Sequence, residues 1–328
     1  MKKYKPGTGE KIEISLDEIP PKVELPFKFS PEHEPVLLQE VLGAFYPLRN
    51  HPHPHYFDGT FGRGGHYSAV KFLIPQLHAS VTDQDLRAID FGKENFRTEV
   101  EKGQLKFYHL NFAQFSEQTE EMFDMILLDL GVSSPQLDQG DRGFSFYHDG
   151  PLDMRMNQQQ GLTAEMIINT ASEEELVRLF KEYGEIHRPF RVVKAIVNDR
   201  KTKAFQTTQQ LAGLIERVDG WQVKGFHPAT KYFMALRLAV NSELEVVAEA
   251  IPRFLKKLNP KGRLAVISFH SLEDRIVKNI FRASEGLGRV VTKKVIVPTQ
   301  DECDRNPRSR SAKLRIFERG AQDELGKL

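Results

Sequence analysis

The stretch of residues 57–66, Phe-Asp-Gly-Thr-Phe-Gly-Arg-Gly-Gly-His, places an acid directly before a glycine-rich turn. Gly62, Gly64 and Gly65 allow a backbone with positive φ and a close approach to a ligand. A second acid, Asp83, follows after another apolar segment. In a doubly wound sheet, a glycine turn after a strand and an acid about 20 residues further on bind a nucleoside, with the acid on the ribose. The stretch therefore predicts a nucleoside cofactor.

The spacing of residues within this turn indicates which nucleoside cofactor the chain is expected to bind. A dinucleotide fingerprint needs a small residue in its third glycine position, where this chain has Tyr67. The P-loop pattern is absent from the sequence. The stretch is more similar to the first motif of S-adenosylmethionine (SAM) methyltransferases, acid-x-Gly-x-Gly-x-Gly, with Thr60 at the first glycine. SAM is thus the expected cofactor, and an NAD-linked enzyme is the first alternative.

Composition places the chain among ordinary globular proteins. Its 328 residues are 40% hydrophobic and 28% charged, and the net charge is +1. Any RNA-binding surface must therefore come from local clusters of cations. Cys303 is the single cysteine, which excludes an intramolecular disulfide and offers a metal no thiolate partners. Without an apolar run of about 18 residues or a signal-peptide core, we expect a cytoplasmic protein without a membrane span.

Apolar runs alternate with helical patterns in two separated parts of the chain, which predicts an α/β fold. The expected core is a Rossmann-like, mostly parallel sheet with an antiparallel C-terminal pair, interrupted by an all-helical insertion. The predicted strands are 55–57, 79–83, 105–110, 123–129, 263–268, 290–297 and 313–318. The predicted helices include 35–42, 67–77, 86–96, 188–200 and 208–218. The expected division is an extended or disordered arm (1–32), a core (33–138 and 230–328) and an inserted helical domain (139–229).

Four predicted strands end in a polar side chain: Asp58, Asp83, Asp129 and Ser268. Ligands of open α/β sheets bind at the carboxyl ends of strands, so these side chains are expected to share one site. Asp129 follows a continuous apolar run, and a buried acid needs a partner. A capped turn is the alternative explanation for Asp129.

Aromatic residues between arginines follow the fourth strand. Arg142, Phe144 and Phe146 could stack a base and hold a phosphate, although the two phenylalanines could equally belong to the core. Two basic segments are further candidates for contact with nucleic acid. One contains Arg308 and Arg310, and the other contains Arg188, Arg191, Lys194, Arg200, Lys201 and Lys203.

His270, Glu273 and Asp274 have the spacing of metal ligands on one face of a helix. Residues 271–274 are also a capping box, Ser-Leu-Glu-Asp, and we favour the cap. A second capping box is predicted at 172–175. No metal is expected.

A set of longer motifs resembles the MraW/RsmH family of bacterial SAM-dependent methyltransferases. The likeness covers about residues 33–319 in the family's order, and the arm at 1–32 lies outside it. The matching segments are 33–38, 58–66, 127–138, 142–146, 150–156, 227–230, 240–244, 267–275 and 306–311.

The resemblance implies an enzyme that methylates the exocyclic N4 of a cytidine in 16S ribosomal RNA, near the decoding centre of the small subunit. It also implies the cofactor contacts: Gly64, Gly65 and His66 against SAM, Asp83 on the ribose, Phe112 beside the adenine, and Asp129 and Gln136 completing the pocket. The product would be S-adenosylhomocysteine. The oligomeric state is not determined by the sequence, and a homodimer is one option.

Methyl transfer is an in-line displacement, so such an enzyme mainly positions and desolvates its reactants. We take Asp129 as the candidate acceptor of an amine hydrogen, because the Asn/Asp/Ser-Pro-Pro-aromatic motif of many amino-methyltransferases is missing. The target base is expected to leave its stack. Phe144 or Phe146 would then stack on it, and His270 would line the same cleft. An RNA-binding protein without catalysis is the second alternative.

Overall fold

The computed structural model describes residues 23–27, 29, 34–221 and 225–321. Within these residues, seven strands form one sheet. They are β1 (His55–Asp58), β2 (His78–Asp83), β3 (Leu105–His109), β4 (Phe123–Asp129), β5 (Leu258–Ser268), β6 (Gly288–Val290) and β7 (Lys313–Arg319).

The strand order is β3-β2-β1-β4-β5-β7-β6. Strands β1 to β5 pair in parallel, whereas β7 is antiparallel to both β5 and β6. The α/β prediction is therefore confirmed. The expected strand 290–297 is corrected, because β6 ends at Val290 and Ile296 then makes an isolated bridge to Leu314. The antiparallel member of the sheet is β7 alone, inserted between two strands that run the other way.

Helices follow most strands and continue through the inserted region. They are α1 (Leu38–Phe45), α2 (Gly65–Leu73), α3 (Leu86–Asn95), α4 (Arg97–Glu101), α5 (Phe112–Gln118), α6 (Ser134–Asp138), α7 (Ala164–Thr170), α8 (Glu173–Glu182), α9 (Phe190–Asp199), α10 (Thr208–Asp219), α11 (Thr230–Asn241), α12 (Glu243–Lys256), α13 (Ser271–Ala283) and α14 (Gln300–Arg305).

Two predicted helices differ from the structure by three residues or more at one or both ends. Helix α2 stops at Leu73 rather than 77, because Pro75 lacks an N–H donor and disfavours helix in the residue before it. The helix predicted at 35–42 begins three residues later, at Leu38. The capping box of Ser172 and Glu175 at the start of α8 is confirmed.

Strand β4 shows why a continuous apolar run marks the centre of this sheet. Met125 and Leu127 pack into an apolar cluster on one face, with α1 and α2. Ile126 and Leu128 pack into a second cluster on the other face, with α12 and α13. Because both faces are covered, all four residues from Met125 to Leu128 are apolar.

The helical region has a third apolar cluster of its own, which runs from Phe144 to Val240. Tyr232, Phe233 and Leu236 of α11 belong to this cluster, so α11 packs with the insertion rather than with the core as expected. The chain turns at Ser242, whose φ is 49°, and α12 then returns to the sheet.

Part of the expected arm packs on the sheet domain. Val23 and Leu25 contact the first apolar cluster, and the Val23 N–H donates to Gln39 Oε1 at 2.8 Å. Residues 23–27 and 29 thus pack on the sheet domain without forming a helix or strand, while the remainder of the expected arm at 1–32 lies outside the described residues. In the described parts of the chain, no helix combines the length and apolar character that crossing a membrane requires.

Candidate active site

A cleft of about 440 Å³ opens at the carboxyl ends of β1, β2, β4 and β5. Asp58, Asp83 and Asp129 line it, as the strand-end argument predicts. Ser268 is buried in the sheet, and the next residue, Phe269, lines the cleft in its place. Three of the four strand-end groups therefore share one site.

The glycine-rich turn forms one wall of this cleft. Gly62 and Gly64 have φ of 54° and 71°, which side chains other than glycine rarely adopt. A Cβ at Gly65 would lie 2.5 Å from Cγ of Pro35, and one at Gly64 would lie 2.6 Å from the Phe61 ring. Helix α2 begins here, where unpaired backbone N–H groups favour a carboxylate.

Thr60, which departs from the SAM motif, joins this turn to β4. Its Oγ1 accepts a hydrogen bond from the Asp129 backbone N–H at 2.7 Å. The hydroxyl of Thr82 donates to the Gly59 carbonyl at 3.0 Å and ties the turn to β2. A glycine at position 60 could not make the first of these bonds, so the departure has a structural reason.

Asp83 is held in place by the turn that it faces. Its Oδ2 accepts from the Gly62 N–H and its Oδ1 from the Asp85 N–H, both at 2.8 Å. Burial raises the pKa of Asp83 to about 6, although these two bonds oppose the shift. Because each carboxylate oxygen can accept a second hydrogen bond, the group can still receive ribose hydroxyls.

Asp58 lies deeper, at the end of β1. It accepts from the Tyr56 hydroxyl at 3.0 Å and from the Thr60 N–H at 3.1 Å. Burial raises its pKa to about 6, and the nearby His66 works in the opposite direction.

His66 and Asp129 face each other across the base of the cleft. His66 Nε2 lies 3.6 Å from Asp129 Oδ2. Both ring nitrogens of His66 and Oδ1 of Asp129 are buried without a hydrogen-bond partner. Buried polar atoms of this kind are rare unless a ligand or water completes them. The ammonium and carboxylate of the methionyl part of SAM offer the complementary donors and acceptors, so the residues present fit this cofactor.

Gln136 and Arg142 meet at Asp85, the N-cap residue of α3. Asp85 Oδ2 accepts from Arg142 Nη1 at 2.5 Å and from Gln136 Nε2 at 3.1 Å. The Arg142 side chain is 1% exposed, and its Nη2 also donates to the carbonyls of Arg155 and Met156. The expected contact between Arg142 and RNA is therefore corrected, because the guanidinium is buried and both of its Nη atoms donate hydrogen bonds inside the protein. Gln136 lines the cleft, as expected.

The two phenylalanines expected to stack on RNA pack within the insertion. Phe144 is buried in the insertion's apolar cluster, so the alternative of a core residue holds for it. Phe146 packs at 4.5 Å from the ring of His227 and 4.9 Å from that of Phe233. Because Phe144 is buried, the expectation that it stacks on the target base is wrong.

His270 is the N-cap of α13. Its Nδ1 accepts from the Glu273 N–H at 3.4 Å, and its Nε2 lies 3.1 Å from Glu273 Oε1. The capping box expected from Ser271 is corrected, because Ser271 is the first helical residue and its hydroxyl bonds Glu185. Asp274 bonds Arg315, so it does not join His270 and Glu273 in one ligand set.

The basic candidates remain on the surface. Arg308 lies at the mouth of the cleft, and its Nη2 donates to Asp138 Oδ1 at 2.5 Å. Arg310 is exposed, as are most of the cations on and around α9. Arg200 is the exception, since it donates to the Ile168 carbonyl.

Sequence reasoning missed the wall of the cleft opposite the glycine turn. Arg237, Asn241, Glu243, Phe269 and Glu273 line it. Arg237 pairs with Glu243 through Nε–Oε1 at 2.8 Å and Nη2–Oε2 at 3.1 Å. Burial raises the pKa of Glu243, and Arg237 partly offsets this rise. The signal was available, because 240–244 was one of the matching segments, but no residue of that segment was assigned to the site.

Comparison with known proteins assigns the chain to a family. The MraW methylase family matches residues 30–320. The chain belongs to this family. It is 78% identical over 328 residues, the whole of both chains, to the ribosomal RNA small subunit methyltransferase H of Bdellovibrio bacteriovorus. The protein of the same name from a Cyanothece species is 46% identical over 297 residues, which are 90% of this chain and 98% of that one.

Among solved structures, an rRNA methylase from Streptococcus thermophilus aligns with a TM-score of 0.41 and 9% identity, over 84% of this chain and 92% of that chain. The family assignment confirms the resemblance found in the motifs. The chain is a SAM-dependent methyltransferase, and the NAD-linked alternative is set aside.

Proposed function

We propose that this methyltransferase transfers the methyl group of SAM to the exocyclic N4 of a cytidine in 16S ribosomal RNA, near the decoding centre. The supporting relative is named a small-subunit rRNA methyltransferase and is identical at 78% of positions. The single observation that carries the chemistry is that His66 and Asp129 meet inside the cleft, where both ring nitrogens of His66 and Oδ1 of Asp129 are buried without a hydrogen-bond partner.

The cofactor contacts of the proposal follow the cleft from one end to the other. Gly64, Gly65 and His66 would hold the methionyl part, Asp83 the ribose, and Phe112 the adenine. Gln136 and Asp129 would complete the pocket. All but Gly64 line the cleft, and Gly64 is the N-cap of α2, whose first residue lines it.

Bound SAM supplies an electrophilic methyl group. The cytosine amine is a weak nucleophile because its lone pair is delocalised into the ring. Asp129 Oδ1 is buried and accepts no hydrogen bond within the protein. Because a carboxylate oxygen can accept two hydrogen bonds, it could accept one from the amine beside one from SAM, and then take up the proton that leaves the amine. The sequence places this oxygen at the end of β4, beside the glycine turn.

The opposite wall would hold the target base after it leaves its stack. Phe269 presents a partly exposed ring at the end of β5. Arg237 uses Nε and Nη2 on Glu243, which leaves Nη1 for an acceptor such as cytosine O2. These two residues replace Phe144 and Arg142 as candidates for base recognition.

The test is methyl transfer from labelled SAM to small subunits and to naked 16S RNA, both from cells that lack the protein, followed by nucleoside analysis. Label in N4-methylcytidine is expected. Asp129→Asn should lower kcat at saturating SAM by about 100-fold or more. Asp90→Asn, an exposed carboxylate on α3, is the matched control and should leave kcat unchanged.

Near-normal kcat in Asp129→Asn would remove Asp129 as the proton acceptor. SAM binding without label in any cytidine would refute the proposed substrate. The homodimer and the cytoplasmic location stay predictions.

A further inference from the structure

A second cavity lies between α13, β6 and β7. Among the described residues, it shares no lining residue with the cleft. Its charged lining consists of Lys278, Arg282, Glu285, Arg289, Lys293 and Arg315. Even with Lys293 left out of the count, four cations face one acid, whereas the whole chain has a net charge of only +1. The cavity therefore has a local surplus of positive charge.

Asp274, at one margin of the cavity, does not neutralise this surplus. It accepts from Arg315 Nε at 2.6 Å and from Arg315 Nη2 at 3.2 Å. Lys313 Nζ lies 3.8 Å from the same carboxylate, and Lys278 also acts on it. One negative charge is therefore shared among three cations, which together hold the pKa of Asp274 below its ordinary value against the effect of burial.

Glu318, at the other margin, is shared in the same way. Its Oε2 accepts from Arg263 Nε at 2.8 Å, and its Oε1 accepts from Arg289 Nε at 2.9 Å. One carboxylate therefore serves two arginines. Pairing within the protein leaves net positive charge on both sides of the cavity.

Two of the cations repel each other along one helix. Lys278 and Arg282 are one turn apart on α13, a spacing at which like charges destabilise a helix. The negative end of the helix dipole stabilises Arg282 in the last turn, but the dipole effect falls off within that turn. Asp274, one turn before Lys278, offsets part of this repulsion, and the positive charge that remains in the cluster points to an anionic ligand.

We propose that this cavity binds backbone phosphates of the ribosomal RNA whose target nucleotide enters the cleft; this inference rests on the proposed function. Helix α13 joins the two sites, because Glu273 lines the cleft and Arg282 lines the cavity nine residues later. Nine helical residues span about 13 Å. A single RNA segment can therefore reach both, with phosphates positioning the strand while the cleft reads the base.

The test compares wild type with the triple variant Lys278→Gln/Arg282→Gln/Lys293→Gln. Affinity for a 16S RNA fragment is measured without SAM between 50 and 200 mM salt. For each lost phosphate contact, the slope of log affinity against log salt concentration should become shallower by about 1 unit. The loss of affinity between 50 and 200 mM salt should then be about 3.5-fold smaller than in wild type. With SAM present, KM for RNA should rise, while kcat and the Kd for SAM stay unchanged.

The control triple variant, Lys93→Gln/Arg97→Gln/Lys102→Gln, removes three exposed cations at the β3 edge of the sheet. It should retain the wild-type salt slope. Glu285→Gln removes the one acid of the lining and should tighten RNA binding. A wild-type slope in the first triple variant, or an equal loss in both, would overturn the inference. RNA affinity without SAM is independent of catalysis, so wild-type methyl transfer separately tests the proposed function.

Discussion

Asp83 illustrates what a single residue contributes that its position in the sequence does not reveal. The strand-end rule correctly predicts that it faces the cleft. It does not predict that two backbone N–H groups already fix the carboxylate, or that burial raises its pKa to about 6. Those properties arise from the turn at Gly62 and from Asp85, whose positions depend on the folded backbone.

SAM affinity should therefore depend on pH. A carboxylate accepts ribose hydroxyls better than a carboxylic acid, so Kd should fall about tenfold from pH 5 to pH 7 as Asp83 loses its proton, given its pKa of about 6. Calorimetry across this range measures the change. In Asp83→Asn the dependence should shrink to the part contributed by Asp58, whose pKa is also about 6. An unchanged profile in this variant would contradict the role of Asp83.

The same two carboxyls affect stability with a definite sign. Their pKa values rise from 3.8 unfolded to about 6 folded, so folding takes up protons between these values. Their contribution to the free energy of unfolding therefore falls as pH rises from about 4 to 6. As pH rises, the affinity for SAM should therefore increase, while the stability contributed by these two carboxyls decreases.

Arg142 and Phe144 show the limit of residue-level prediction. Arginine and phenylalanine occur in both RNA surfaces and protein interiors, so a short segment cannot distinguish them. The partner of Arg142 is Asp85, 57 residues away in the chain. Only the folded arrangement of β2, α3 and the insertion brings the two together.

At the scale of elements, the glycine turn and α2 are the best predicted part of the molecule. Acid, glycines and helix occupy the expected places, since each follows from local backbone chemistry. The sequence does not show that Pro35 and Phe61 also require glycine. These contacts come from the preceding chain and from the turn itself. At Gly64 the close contact coincides with a positive φ, whereas at Gly65 the close contact alone requires glycine.

Gly64→Ala should destabilise the protein and weaken SAM binding. The left-handed backbone at φ of 71° costs about 1–2 kcal/mol with a side chain, and the Cβ would lie 2.6 Å from the Phe61 ring. Urea unfolding measures the loss. Gly213→Ala is the control, since it lies inside α10 with open space around it and should stabilise by about 0.5–1 kcal/mol. Equal stability of the two variants would show that the turn tolerates a side chain.

At the scale of the whole molecule, the sequence predicts the presence of the sheet and the helical insertion better than the residues at which they begin and end. Alternating strands and helices identify the parallel sheet and the helical insertion. The ends of the insertion are harder to predict, because the apolar pattern of α11 continues into α12. Its partners, Phe180 on α8 and Phe146 before the insertion's helices, are distant in sequence. The division into arm, core and inserted domain stays a prediction.

The bond between Asp85 and Arg142 joins the sheet domain to the insertion, so its loss should affect the whole protein. Arg142→Met leaves a buried carboxylate unpaired and should lower the free energy of unfolding by about 3–5 kcal/mol. Arg87→Met, which breaks an exposed pair with Asp141, should cost at most about 1 kcal/mol. Urea unfolding compares them. A small effect of Arg142→Met would mean that the two parts are held together by their apolar contacts.

The position of β7 has a consequence for synthesis. This strand comes after all the other strands in the chain, yet it lies inside the sheet, between β5 and β6. While the nascent chain is still short of residue 313, β5 keeps an open edge and β6 has no neighbour to pair with. Open edges recruit other chains, so translation that stalls in this interval leaves an aggregation-prone intermediate. The sheet is completed only after nearly all of the described chain has left the exit tunnel.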